Sequence, residues 1–377
     1  MKMRILLWQE LFWPYIGGIE VLSTKLLCAL RERGHEMIVV TRQDSADLPR
    51  EAEYQGIPIY RYPFPWSAFS NGNFDALIQT RRQITQLTRS FRPDVVHMNS
   101  FGPSFLFYSN TVEADAPPLL MTMHTTPGSN LSEWAFGRDG LFKKTVRSAS
   151  WISCVSAAVL EQARYLMPEI TSRSSVIYNG MESPNLSPEP LPLDRPCLLC
   201  LGRLVPDKGF DLAIAAFAAI ADRFPRLRLI IAGDGLERSS LENQAASLRI
   251  AHSVEFVGWV PPEKVAALLN GATIVVMPSH REGLPTVALE AALMARPVVG
   301  TRVGGVPEVI LHQKTGWLVP PRDENALAEA LLLLLNEPRI AIALGKAARI
   351  RAQEIFRFER YVDAYENLYR KLISEVR

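Results

Sequence analysis

No stretch of this chain holds the roughly 18 to 20 consecutive apolar residues that a membrane-spanning helix requires. Charge of one dominant sign is absent too: a formal net charge of +2 with 21% charged residues argues against a dedicated nucleic-acid binder and against disorder. Cysteine is scarce, with four in the chain. The closest pair, Cys197 and Cys200, lies in the apolar run from Pro196 to Leu201, where residues three apart on a strand point to opposite faces. Without a second Cys or His pair nearby, this spacing predicts packing cysteines and neither a zinc nor a redox site. A Gly-x-Gly-x-x-Gly turn after a strand, which a dinucleotide-dependent oxidoreductase should carry, is also missing. The first residues, Met1 to Trp8, begin with basic character but soon meet Gln9 and Glu10. They predict a first strand and no signal peptide, hence a cytoplasmic location.

What is present is length and alternation. A chain of 377 residues with 48% hydrophobic content can bury more than one core, so two domains are expected. In the first half, strand-like runs at 4–8, 37–41, 57–61, 95–98, 119–123 and 151–155 alternate with helical patterns near 18–33, 74–91 and 141–149. A second alternation has strands at 198–202, 227–232, 254–257, 274–277 and 298–300. Such patterns predict parallel sheets with helices on both faces. The segment 183–196 is rich in proline and polar residues without apolar period, which reads as a linker. Helical periods at 327–335, 340–356 and 358–373 close the chain, and no strand follows the last one.

The stretch Ser279-His-Arg-Glu-Gly-Leu-Pro-Thr-Val-Ala-Leu-Glu290 carries the most chemistry. It leaves a short buried strand, breaks at Pro278 and Pro285, and enters a helix predicted over 286–295. Glu282 falls in the loop and Glu290 just past the first helical turn. Both can therefore face the crevice beyond the strand ends, where open α/β sheets bind ligands. The loop amides and the helix N-terminus add partial positive charge there, which suits phosphate. An isolated Glu-x7-Glu would read as two solvated carboxylates, but other segments point to the same crevice. Arg203 and Lys208, in a loop that again leaves a strand and enters a helix, supply a planar fork and a point charge, the cations a diphosphate leaving group needs. Gly17 and Gly18 open a helix after the first strand and let backbone approach a ligand closely. Gly233-Asp234-Gly235 and Gly304-Gly305 form further glycine-rich strand ends, and His124 directly follows the run 119–123.

Taken in order, Gly17-Gly18-Ile19-Glu20, His124, Asn179-Gly180, Gly202-Arg203-Leu204 with Lys208-Gly209, Gly233-Asp234-Gly235, Glu282-Gly283-Leu284-Pro285 with Glu290, and Gly304-Gly305-Val306-Pro307-Glu308 resemble the retaining GT-B glycosyltransferases of family 4 over nearly the whole chain. One departure is Glu182, where the family more often has Asp.

The resemblance implies an α/β fold of GT-B type: two Rossmann-like domains with parallel sheets facing each other across a crevice, and a C-terminal helix crossing back to the first. Its domains would be an acceptor-side unit at 1–182, the linker 183–196, a donor-binding unit at 197–356 and the returning helix at 357–377. It implies retaining transfer of a sugar from a nucleotide-diphosphate sugar to a hydroxyl of a glycan, glycolipid or lipid-linked acceptor. Carried over by residue, Glu290 would bind the ribose hydroxyls and Glu282 the donor-sugar hydroxyls. Arg203 and Lys208 would hold the diphosphate, and the amides of Gly283 and Leu284, before Pro285 and Thr286, would support sugar and phosphate. Gly17 and Gly18 would close over the donor, Gly233 would wall the crevice, and His124 would contact the donor sugar near its O6 or reacting face. His124, Arg203, Lys208 and Glu282 are thus the catalytic candidates.

The chain contains no Asp-x-Asp, so the two cations would stand in for a metal, and no cofactor or divalent ion is expected. UDP is taken as the donor nucleotide because it is the commonest. A sugar phosphorylase or nucleotide-sugar epimerase of the same fold, and a non-catalytic nucleotide-sugar-binding protein, are the competing readings. Trp66, Phe69, Phe101, Phe105, Phe107, Tyr108, Trp134 and Phe136 are candidates to meet a lipid tail or sugar faces, though most are expected to pack inside. Lys143, Lys144 and Arg147 beside Leu141, Phe142, Val146 and Trp151 could lay an amphipathic helix on anionic lipid, so peripheral contact with the inner membrane face through the first domain is an open expectation.

Overall fold

Apolar runs such as Ile5 to Trp8 and Ile274 to Met277 show no period-two alternation, the pattern of strands covered on both faces. In the computed structural model, which describes residues 2–15, 17–64, 74–99, 102, 104, 107–108, 116–125 and 141–376, they are buried strands. The chain divides into two units, Met1–Tyr178 with Glu359–Arg377, and Asn179–Phe358.

In the first unit the strands are β1 (Arg4–Gln9), β2 (Glu36–Arg42), β3 (Glu51–Tyr54), β4 (Ile57–Tyr62), β5 (Val95–Met98), β6 (Leu119–Met123), β7 (Trp151–Cys154) and β8 (Ser174–Val176). They form one sheet in the order β3-β4-β2-β1-β5-β6-β7-β8. All pairings are parallel except β3 with β4. The sequence reading missed β3, whose Glu-Ala-Glu-Tyr has no apolar signal. It is a hairpin strand turned by Gln55 and Gly56, both at positive φ. It also missed β8, only three residues long, and the helix Ala157–Leu166, whose N-cap Ser156 accepts a hydrogen bond from the Val159 amide.

The helix Phe358–Val376 returns to this unit. Its apolar stripe includes Tyr361, Tyr365 and Tyr369, all buried, and Tyr369 OH lies 2.7 Å from His97 Nδ1 on β5. Tyr365 OH reaches Thr122 Oγ1 at 3.1 Å on β6. Buried hydroxyls that meet partners in this way avoid the cost of roughly 1–3 kcal/mol that each orphaned polar group carries. Arg33 adds ion pairs to Asp363 and Glu366 at the rim.

The second unit holds β9 (Cys197–Leu201), β10 (Arg228–Ala232), β11 (Val254–Gly258), β12 (Ile274–Met277), β13 (Val298–Thr301) and β14 (Trp317–Val319). Their order is β11-β10-β9-β12-β13-β14, parallel throughout. The three-residue β14 was not read from the sequence. Helices α1 (Phe210–Ala221) and α2 (Glu324–Asn336) cover one face with a core that includes Phe217, Ile220, Leu331 and Leu334. Each such side chain contributes about 1.5–3 kcal/mol by leaving water. Cys197 and Cys200 are free, buried members of β9, and burial pushes the Cys197 thiol up to about 12. Among the described residues no helix is long and apolar enough to cross a membrane.

Candidate active site

Sheet order fixes where ligand groups gather. In the second unit the chain runs outward from β9 in both directions, so the loops after β9 and β12 diverge at the switch in strand order, where open α/β sheets take ligands. The first loop runs from Gly202 to Gly209. Pro206–Lys208 make one 3-10 turn, and Gly209 follows at φ +62, a left-handed conformation that starts α1. A Cβ on Gly209 would stand 2.3 Å from the Pro278 carbonyl oxygen, so the two loops press together there. The Asp207 carbonyl seals the contact by accepting from the His280 amide at 2.8 Å.

The second loop carries Glu282. Its Oε1 accepts from Lys208 Nζ at 2.7 Å and from Ser279 Oγ at 2.8 Å. Ser279 is fully buried, and its carbonyl is held by Thr301 Oγ1 at the end of β13. Gly304, at φ +46, would drive a Cβ to 1.8 Å from the Glu282 carbonyl oxygen; the strand-end loop after β13 therefore needs glycine to pack against this carboxylate's backbone. Arg203 is exposed; its carbonyl accepts from the Val205 amide at 2.9 Å, but its side chain makes no hydrogen bond or ion pair among the described residues. Gly283, Leu284 and Pro285 are buried and lead into the helix α3 (Thr286–Leu293), whose N-cap Pro285 offers no side-chain oxygen. The first amides of that helix are thus left to other partners. Glu290 sits in its second turn, partly buried. The helix ends two residues before the predicted Ala295, which turns left-handed at φ +53 while the Arg296 amide bonds back to the Ala291 carbonyl. Gly233 has a packing reason of its own, since a Cβ would lie 1.8 Å from the Gly202 carbonyl oxygen.

The first unit repeats the logic, with its switch between β1 and β5. Gln9 ends β1, Asn99 follows β5 and His124 follows β6. His124 Nε2 lies 3.0 Å from Asn99 Oδ1. Asn99 Nδ2 donates to Ser23 Oγ at 2.7 Å and to Gln9 Oε1 at 3.2 Å. Burial pushes His124 down to about 4 and His97, beneath it in the sheet, to about 3. Gly17 caps the helix Gly18–Glu32 in an extended conformation, and the nearest atom to a Cβ there is the flexible end of Glu20. Among the described residues, therefore, nothing in the packing demands glycine at 17.

The second unit thus brings Lys208, Glu282, Gly283, Leu284, Pro285 and Thr286 together around one strand-end junction, with Arg203 in the same loop as Lys208. Gly17, Gly18 and His124 belong to the first unit. Sequence reading missed Ser279, Asn99, Ser23 and Gln9. Asn99 stands in the same place after β5 as His124 does after β6, and that shared signal could have found it.

Of the aromatic candidates, Phe107 and Tyr108 are core residues, packed on Phe64 and Trp8 at ring separations of 5.0 and 5.6 Å. Trp66, Phe69, Phe101, Phe105, Trp134 and Phe136 lie outside the described residues. On the basic helix Leu141–Ser148, Arg147 pairs with Glu169 and Val146 is buried; Lys371 covers the ring of Trp151.

Residues 16–183 match the family described as Glycosyltransferase Family 4, and residues 184–351 the one described as Glycosyl transferases group 1. Glycogen synthase of Mycobacterium tuberculosis is 30% identical over 97% of this chain and 94% of its own. Among solved structures, sucrose-phosphate synthase from Thermosynechococcus elongatus superposes with a TM-score of 0.82 at 24% identity, covering 99% of this chain and all of its own. HepE of Anabaena, solved in complex with UDP-glucose, does so at 0.79 and 19% identity, over 97% of this chain and 99% of its own.

Proposed function

Since the chain belongs to glycosyltransferase family 4, with the GT-B fold, we propose that it moves a sugar from a nucleoside-diphosphate sugar to a hydroxyl of a glycan, glycolipid or lipid-linked acceptor, with retention at the anomeric carbon and without a metal. The observation that carries this reading is the junction of Lys208 and Glu282 beside the open N-terminus of α3. A cation, a carboxylate and uncapped amides at one strand-end crevice match the three parts of such a donor: diphosphate, sugar hydroxyls and phosphate oxygens.

In the proposed reaction the anomeric C–O bond breaks and its electron pair stays on the diphosphate. The acceptor oxygen bonds the same carbon from the same face, and its proton passes to the departing phosphate. Negative charge grows on the leaving group while the ring gains positive character, so Lys208 and Arg203, fixed in the loop after β9, lower the barrier by being in place beforehand. Glu282 holds sugar hydroxyls and Glu290 the ribose, and His124 is assigned a hydroxyl of the donor sugar. The likeness to HepE supports trying UDP-sugars first.

A melting screen of nucleotide sugars tests donor binding, because a ligand of the folded state raises Tm. NMR of the product's anomeric signal tests retention. An inverted product overturns the proposed chemistry, and release of free sugar or sugar phosphate in place of acceptor transfer overturns the proposed reaction.

A further inference from the structure

Three polar side chains at the ends of β1, β5 and β6, joined by Ser23 of the helix Gly18–Glu32, form a row whose hydrogen-bond direction is fixed from one end. Gln9 Nε2 donates to the Leu11 carbonyl at 2.8 Å, and a carbonyl can only accept. Gln9 Oε1 is therefore the acceptor on the other side, 2.7 Å from Ser23 Oγ and 3.2 Å from Asn99 Nδ2. Asn99 Nδ2 also donates to Ser23 Oγ at 2.7 Å, which uses both amide hydrogens. Asn99 Oδ1 is then the atom facing His124 Nε2 at 3.0 Å, and an amide oxygen can only accept. Turning over either amide would set NH2 against NH2, or oxygen against carbonyl oxygen. Gln9, Ser23 and Asn99 are buried to 1% exposure or less, so such a mismatch would cost the full penalty of buried unpaired groups.

We infer that Asn99 is a positioning residue which, through Gln9 and Ser23, holds His124 as its Nε2–H tautomer, so that Nδ1 presents a lone pair and accepts a hydrogen bond from a sugar hydroxyl. The placement of that hydroxyl rests on the reading of His124 beside the donor sugar. Besides Asn99, whose backbone carbonyl also favours a ring N–H, His124 has no hydrogen-bond partner among the described residues, and desolvation, the larger effect, holds its pKa down to about 4 so that the ring is neutral at pH 7. His124 thus discriminates in favour of a hydroxyl donor; it is not the group that stabilises charge on the leaving phosphate. A neutral ring with a fixed acceptor nitrogen rejects a deoxy sugar by the hydrogen bond that it then lacks.

Long-range proton–nitrogen NMR on the full chain labelled at histidine, with His124 assigned by its loss in His124→Asn, reads the tautomer directly. The wild type should show Nε2–H at neutral pH, and Asn99→Ala a mixture of both forms. A wild-type Nδ1–H form, or a doubly protonated ring, overturns the inference whatever the activity. With UDP-glucose, the preference over UDP-6-deoxyglucose in kcat/KM should be roughly tenfold, the worth of one hydrogen bond, and should fall toward unity in Asn99→Ala. If the wild type is Nε2–H but Nδ1 ignores UDP-glucose that does raise Tm, the relay stands and the placement of His124 at the sugar falls.

Discussion

Lys208 Nζ donates to Glu282 Oε1 across 2.7 Å, and this single ion pair joins the loop after β9 to the loop after β12. Two groups assigned to different parts of the donor, diphosphate and sugar, are thus each other's partner. The proposed donor would have to enter where they meet. Their contributions should then be coupled: in a double-mutant cycle with Lys208→Ala and Glu282→Gln, the effects on kcat/KM should fail to add by about 0.5–3 kcal/mol. Lys208→Ala alone should lower kcat and kcat/KM together by about 10²–10³-fold. A rise in donor KM alone would make the loop only a binding clamp.

Arg203 shares the loop of Lys208, yet its exposed side chain has no partner among the described residues, which leaves its planar fork available for a phosphate. Arg203→Ala should therefore cost activity with little loss of stability, because no internal contact is broken. Arg203→Lys keeps the charge but not the fork and should recover only part of the rate. Full activity in Arg203→Ala would remove it from the mechanism.

Glu290, one helical turn beyond the loop, is expected to hold the ribose. Glu290→Ala should weaken binding of the free nucleoside diphosphate by about 1–3 kcal/mol, the worth of hydrogen bonds to a charged group. Glu282→Ala should spare the free nucleotide and impair the intact donor. Calorimetry with UDP and UDP-glucose separates the two, and equal UDP affinity in both variants would sink the ribose assignment.

The parallel strands were legible because burial on both faces writes itself as unbroken apolar runs, as in Ile274 to Met277, and because Pro285 and Thr286 mark a helix start. Less was legible where structure comes from neighbours. Glu51 to Tyr54 becomes a strand only because Gln55 and Gly56 turn it onto β4, and Trp317 to Val319 only because β13 offers an open edge. At the site, Lys208 and Glu282 could be named from the sequence, but not that they pair, since 74 residues separate them. Gln9, Ser23 and Asn99 passed unnoticed because each is an ordinary polar residue alone. Only the β1–β5 register, with the helix Gly18–Glu32 packed so that Ser23 reaches Gln9 and Asn99, sets them in a row.

Because the cations at the proposed leaving group are part of the chain, turnover should survive chelation. Assays with EDTA are expected to retain most activity. Complete loss restored by magnesium or manganese would contradict metal-independent transfer.

Two histidines, His97 and His124, give a pH dependence of known sign. His97 and His124 are held down to about 3 and about 4 by burial, against an ordinary value of 6.5. Between pH 6.5 and about 4 the folded chain keeps both rings neutral while the unfolded chain protonates them. The unfolded state then binds more protons, so stability falls as pH falls through this window and is fully present above it. Each ring contributes about 1.4 kcal/mol per pH unit. Glu366 acts lower: burial raises its pKa, but hydrogen bonds from Arg33, Arg370 and His35 outweigh that and hold it down to about 2, so its share is lost only as pH falls from 4.5 toward that value. Urea denaturation at pH 7, 6 and 5 should therefore show a decline already above pH 5, and His97→Gln should flatten that decline by removing one of these protonations. Unchanged stability from pH 7 to 5 in the parent would mean that the rings are not held neutral by the fold, and the acceptor role of His124 would lose its footing with them.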